Sequence, residues 1–305
     1  MRTNSRTLTL HTGISFLIAA LVLMLGVASV EAGTPVERSG KASAKGFVII
    51  ENIAGSIKVE GWSKEEIQVT GTLGEEVEEL EFKTGSKKSV INVVYPRKIK
   101  TIDEGADLVI MVPKGSSVEV ECISASIDVK NVAGAVEVAS ISGAIEIVGN
   151  CTSVEAEAIS GVVIIEGATP EVSVENISGR VRLTGETADV EVETVSGDID
   201  LNFDKLLDLS VESVTGSADV RADLDRKGDF SFDLHSGSLI LTVPADLSAE
   251  FEISTFNGDI DSGFGHKAKR TSKYAPGQEL EFTTGGGDAR IRINTFSGDV
   301  TIKKQ

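Results

Sequence analysis

Between residues 118 and 220 the chain repeats one pattern every 18 residues, and this period limits the fold more than any other feature of the sequence. Ala125, Gly143, Gly161, Gly179, Gly197 and Gly216 mark equivalent positions, 18 residues apart except for a last step of 19. Ser124, Ser142, Ser160, Ser178, Ser196 and Thr215 precede them, and before those stand Ile123, Ile141, Ile159, Ile177, Val195 and Val214. Aliphatic residues recur two and four positions after the mark (Val181 and Leu183 in one unit) and seven and five positions before it (Val172 and Val174). Such alternation is the period of a strand with one buried side. Stacking each strand on its equivalent one unit later, about 4.8 Å away, is expected to bury every aliphatic column in a continuous core. Serine followed by glycine supplies the tight corner, since glycine accepts a positive φ and serine bonds to nearby backbone. The period therefore predicts an all-β fold: a single-stranded, right-handed parallel β-helix, or solenoid, with irregular β caps at both ends.

The ends of the chain set the expected boundaries. Arg2 and Arg6 precede an uncharged apolar run from Ile14 to Val30, and small residues stand at Val30 and Ala32. That order is the one found in a cleaved secretory signal peptide, expected here at 1–32. The run is short for a membrane span, and no later run is longer, so no transmembrane segment is expected after cleavage. Residues 33–115 read as an irregular β region capping the solenoid. Residues 116–305 read as the regular solenoid with its C-terminal capping strands, the whole being one continuous domain from about 45 to 303. Further corners stand at Ser236-Gly237, Asn257-Gly258 and Ser297-Gly298, and a basic loop with Lys267, Lys269, Arg270 and Lys273 interrupts the last interval.

Charge narrows the partners. The net charge of −18 becomes −19 once the leader is removed, because the leader carries two arginines and one glutamate. Phosphate binding needs a basic footprint, so nucleic acid is excluded as a partner. Cys122 and Cys151 lie 29 residues apart, on different sides of non-adjacent coils, and are expected to be free thiols. His235 and His266 are the mature chain's two histidines, too few for a structural zinc site, and no cofactor is expected. Ser236 follows His235, but neighbours along a strand point to opposite faces, so the pair reads as a corner rather than a nucleophile with its base.

One outward feature is not required by packing. Glu119, Glu137, Glu155 and Glu191 fall six positions before the corner, and Glu121, Glu157, Glu175, Glu193 and Glu212 fall four before it. Stacking turns these into carboxylate columns about 5 Å apart, where each unshielded pair costs about 1 kcal/mol even in water. The columns are a candidate ladder for divalent cations such as Ca²⁺; the competing reading is a solvated face kept acidic against aggregation. A polysaccharide-acting β-helix enzyme would need a compact cluster of acids and bases breaking the repeat. Arg180 and Arg182 beside Glu175 come nearest to one, and they read as surface ion pairs.

The run Asp107-Leu-Val-Ile-Met-Val-Pro113, the Ser-Gly corners and the closing Ile293-Asn-Thr-Phe-Ser-Gly-Asp-Val-Thr-Ile302 resemble the bacterial "putative adhesin" family of exported β-solenoid domains of unknown function. The resemblance covers roughly residues 45 to 303 and marks no catalytic residue. It implies a non-enzymatic adhesin-like or scaffolding protein of the cell envelope, periplasmic or at the cell surface, whose partner is an envelope protein or polysaccharide. The alternatives are the polysaccharide-acting enzyme and an envelope-stress accessory protein.

Overall fold

Alternation gives each short segment one apolar side, and segments of successive repeats bury that side by pairing in parallel. The computed structural model describes residues 33–98, 102 and 104–305, so the leader expected at 1–32 lies outside the described residues. Strands Val136–Ser142, Val154–Ser160, Glu171–Ser178 and Asp189–Ser196 form one ladder in which Val136, Val154, Val172 and Val190 are successive partners. Beyond the corners, Ile145, Val163, Val181 and Ile199 are partners in a second ladder. Each repeat thus contributes one row to both ladders.

The corners turn on stacked glycines. Gly161, Gly179, Gly197 and Gly216 have φ of 148°, 141°, 153° and 136°, a region that side-chain-bearing residues avoid. A Cβ on Gly179 would also run into the carbonyl of Gly161 in the row before it. Between the ladders lies an aliphatic core in which Val174, Val181 and Val192 are wholly buried, each side chain contributing about 1.5–3 kcal/mol. Towards the C-terminus the filling becomes aromatic: Phe230, Phe232 and Phe251 are buried, and Phe251 stacks on Phe282 with centroids 4.4 Å apart.

The whole is nevertheless not the single right-handed parallel β-helix that the period predicts. It is an all-β arrangement of mixed parallel and antiparallel connectivity, and at both ends the order of rows departs from the order of the chain. Strand Phe47–Trp62 pairs on one side with Ser117–Lys130 and on the other with Lys88–Val94 and Ala106–Pro113. Outside these lie antiparallel strands: Glu79–Lys83 on Lys88–Val94, and Glu66–Leu73 between Ala106–Pro113 and Thr34–Lys41. At the far end the chain passes over a row and returns to fill it. Ala289–Ser297 lies between Ala218–Ser236 and Ala249–Asn257, and Val300–Lys304 lies between Leu239–Val243 and Ile260–Ser262. Gln278–Thr283 then runs antiparallel along Ala249–Asn257. The physical reason is the edge. A terminal parallel row offers unpaired N–H and C=O groups to any other chain, and a short turn reaches an antiparallel cover strand more readily than another crossover does.

A second expectation also fails. The column Ile123, Ile141, Ile159, Ile177, Val195 and Val214 is exposed, not part of the core.

Candidate binding face

On the outer side of the first ladder the even-numbered positions before each corner form three parallel columns. The expected glutamates occupy two of them. Glu119, Glu137 and Glu155 are consecutive partners, Ser173 interrupts, and Glu191 follows. In the next column Glu51 pairs with Glu121, Ala139 interrupts, and Glu157, Glu175, Glu193, Glu212 and Asp233 follow in unbroken order. Among the described residues no side chain of this second column takes part in a salt bridge. Partial desolvation raises the Glu137 carboxyl above its ordinary pKa, with help from Glu119, Glu155 and Glu121. Glu193 is raised in the same way, by desolvation first and then by Glu212, Glu175 and Glu191. Among the described residues no three His, Cys, Asp or Glu side chains gather as a chelating cluster. The carboxylates form lines, not cages.

Beside the glutamates runs the column that sequence reasoning placed in the core. Ile123, Ile159 and Ile177 are 46%, 47% and 50% exposed. Ile53 heads the column, and beyond Val214 it continues as three stacked rings. His235 lies 5.0 Å from Phe296 with planes 2° apart, and Phe296 lies 5.1 Å from Phe256 with planes 7° apart. Ten rows share this column, which at about 4.8 Å per row is roughly 43 Å long. The signal for its exposure was present in the sequence. These residues have the same parity as the glutamates two and four positions earlier, so alternation alone directs them outward; their aliphatic character masked it.

The two columns border a groove of about 1210 Å³ that runs along the stack. Its floor is the backbone at the position three before each corner, whose side chain turns inward. Where that residue is long enough it ties down the corner: Asn52 Nδ2 donates to the carbonyls of Ala54 (2.8 Å) and Ala106 (3.1 Å), and Asn176 Nδ2 donates to that of Gly161 (3.3 Å). At the N-terminal end the Tyr95 hydroxyl donates to Asn52 Oδ1 at 3.1 Å, and burial raises its pKa. Ser140, Thr194 and Ser213 stand at the same inward-facing position, and among the described residues their buried hydroxyls have no hydrogen-bond partner.

Other candidate groups do not converge on this face. Arg180 and Arg182 pair with Asp198 (3.8 Å) and Asp200 (3.1 Å) in the following row, not with Glu175. His235 is engaged with Phe296, and His266 stacks on Phe282 at 4.5 Å. Both cysteines are buried and unpaired; burial pushes the Cys122 thiol up to about 12 and the Cys151 thiol up to about 11. Among the described residues no helix is long and apolar enough to cross a membrane.

Solved structures with a similar course of chain come from several bacteria. A putative cell adhesion protein from Clostridium sporogenes is 10% identical, the match covering 89% of this chain and 100% of that one at a TM-score of 0.24. A putative adhesin from Bacteroides fragilis is 10% identical over 88% and 97% of the two chains, with a TM-score of 0.46. A putative lipid binding protein from Parabacteroides distasonis is 12% identical over 88% and 97%, with a TM-score of 0.27. Likeness of this degree carries no argument about function. Among curated proteins none matches this chain. A family model does match, from residue 42 to residue 303, and so spans the repeat and the out-of-order ends apart from strand Thr34–Lys41: the chain belongs to the Toastrack DUF4097 family.

Proposed function

We propose that the chain is a non-enzymatic binding scaffold of the bacterial cell envelope, exported by its leader to the periplasm or cell surface, with the striped outer face as its working surface. One observation carries this reading: a continuous exposed column of aliphatic and aromatic side chains spans ten rows beside a column of carboxylates. Exposed apolar surface of that extent marks an interaction site more often than an accident of composition. His235 in the groove is stacked on Phe296, and Arg180 and Arg182 are engaged with Asp198 and Asp200 on the other ladder, which supports binding over polysaccharide cleavage. The partner is an envelope protein or polysaccharide.

A photo-reactive residue replacing Ile177 tests this against one replacing Arg182, which is exposed on the other ladder. In envelope fractions the first should yield a discrete adduct and the second none. Equal labelling from both positions, or none from either, removes the reading.

The glutamate columns, Glu119 to Glu191 and Glu121 to Glu212, are proposed in addition to attract Ca²⁺ diffusely, because carboxylates stacked row on row repel one another and a divalent cation relieves that repulsion; at Glu137 and Glu193 this repulsion adds to the desolvation that chiefly raises their pKa. Calorimetry at millimolar Ca²⁺ should show heat that Glu157→Gln with Glu175→Gln diminishes. No heat and no shift in melting would end that proposal.

A further inference from the structure

We infer that the groove holds a cationic amphipathic α-helix contributed by a partner polypeptide, its apolar stripe on the isoleucine column and its lysines or arginines over the glutamate column. This rests on the binding-scaffold reading and adds to it the chemistry of the occupant.

Charge selects the sign of that occupant. Six glutamates and Asp233 line one wall without a basic residue among them, so a polyanion or an anionic bilayer is repelled while a basic segment is steered in. The net charge of −18 likewise opposes pairing with a second copy.

Backbone hydrogen bonding selects the conformation. The face is the side of a ladder whose rows already pair with each other, so it has no free strand edge to offer an extended peptide. A helix satisfies its own N–H and C=O groups and needs only side-chain contacts. Spacing agrees with this. A helix presents one residue per face about every 5.4 Å, close to the rows at about 4.8 Å, whereas an extended chain presents one about every 6.8 Å. The glutamate and isoleucine columns are two residues apart along each strand, about 6.6 Å, a separation that one helix of about 10 Å diameter straddles. The six aliphatic rows from Ile123 to Val214 match a helix of about 16 residues, and the ten-row column one of about 28.

The probe is a labelled 20-residue leucine–lysine peptide, designed to be a coil alone and amphipathic when helical. Because the described protein contains strands and no helix, a gain of negative ellipticity at 222 nm on mixing reports the peptide directly. Micromolar binding with that gain is expected. It should weaken at least tenfold in Ile159→Asp with Ile177→Asp, and in Glu157→Lys with Glu175→Lys; these side chains are exposed, so both variants should stay folded with the wild-type β spectrum, the lysine pair melting no lower than the wild type. Binding should also weaken severalfold on raising salt from 50 to 300 mM. Equal affinity for a scrambled peptide of the same composition, or binding without helix formation, overturns the inference. So does a dimer in sedimentation that Ile177→Asp dissolves, or adsorption to lipid vesicles that Ile177→Asp abolishes, since either assigns the stripe to another occupant. If the peptide does not bind while the crosslink at residue 177 still forms, the helix is wrong and the binding face stands. If both fail, both readings fall.

Discussion

Asn176 and Thr194 hold equivalent places in neighbouring rows, yet mutation should affect them in opposite directions. Asn176 donates to Gly161 and accepts the Ser178 N–H at 3.1 Å, so Asn176→Ala leaves two corner groups without their partner. The expected loss is about 1–3 kcal/mol, measured by urea or thermal unfolding. Thr194 buries a hydroxyl with no partner, so Thr194→Val should be neutral or stabilising by up to about 1 kcal/mol. A comparable loss at both sites would show that the floor does not buttress the corners. Titration gives a further check at this scale. Glu137 and Glu193 have folded pKa values above their unfolded ones, so their contribution favours folding below the unfolded pKa and is lost as pH rises through the folded pKa. Stability should therefore fall between roughly pH 4.5 and neutrality at low salt, and Glu193→Gln should flatten that fall while raising the neutral-pH Tm by roughly 1–3 °C. An unchanged pH profile in the variant would count against the repulsion. Burial with a raised pKa also keeps both thiols unreactive, so a thiol reagent at pH 8 should label neither until the protein unfolds.

At the scale of the element the corner glycines are the sharpest test. Gly179→Ala combines a φ of 141° with a collision against a backbone carbonyl that cannot swing away, and should cost more than about 2 kcal/mol. Gly265→Ala has φ of 82° but open space around it, so about 1 kcal/mol is expected; denaturation midpoints compare the two. What the sequence revealed follows the same division between local and distant causes. Corners, ladder partners and carboxylate columns are legible because each depends only on residues one period apart, such as Val172 and Val190. The exposed stripe was legible in principle, since Ile177 and Glu175 share parity, but an isoleucine reads as core by itself. Row order at the ends is another matter. Ser297 pairs with Ser236, 61 residues back, and with Asn257, 40 back. No periodicity encodes such offsets; they follow from which edge remains open once the other rows are placed. The predicted single parallel helix fails there for that reason.

At the scale of the whole molecule, the ladders depend on strands far apart in the chain, and folding should be slow for a protein of this size. The C-terminal end makes the point most clearly. Truncation after Thr284 removes Ala289–Ser297 and Val300–Lys304, the strands between Ala218–Ser236 and Ala249–Asn257 and between Leu239–Val243 and Ile260–Ser262. The truncated chain should keep hydrogen-exchange protection in the 136–196 ladder, lose it beyond Ser236, and aggregate on size-exclusion chromatography. Intact protection beyond Ser236 would refute the row order. That arrangement also has a consequence in time. A chain emerging N-terminus first completes both neighbours of the missing row before it has made the row itself. Until its final residues arrive, the protein carries a vacancy one strand wide, shaped for its own tail and equally receptive to the tail of a neighbouring copy. Crowding at that moment favours exchange of tails between molecules, and intertwined pairs formed this way would persist long after their concentration had dropped.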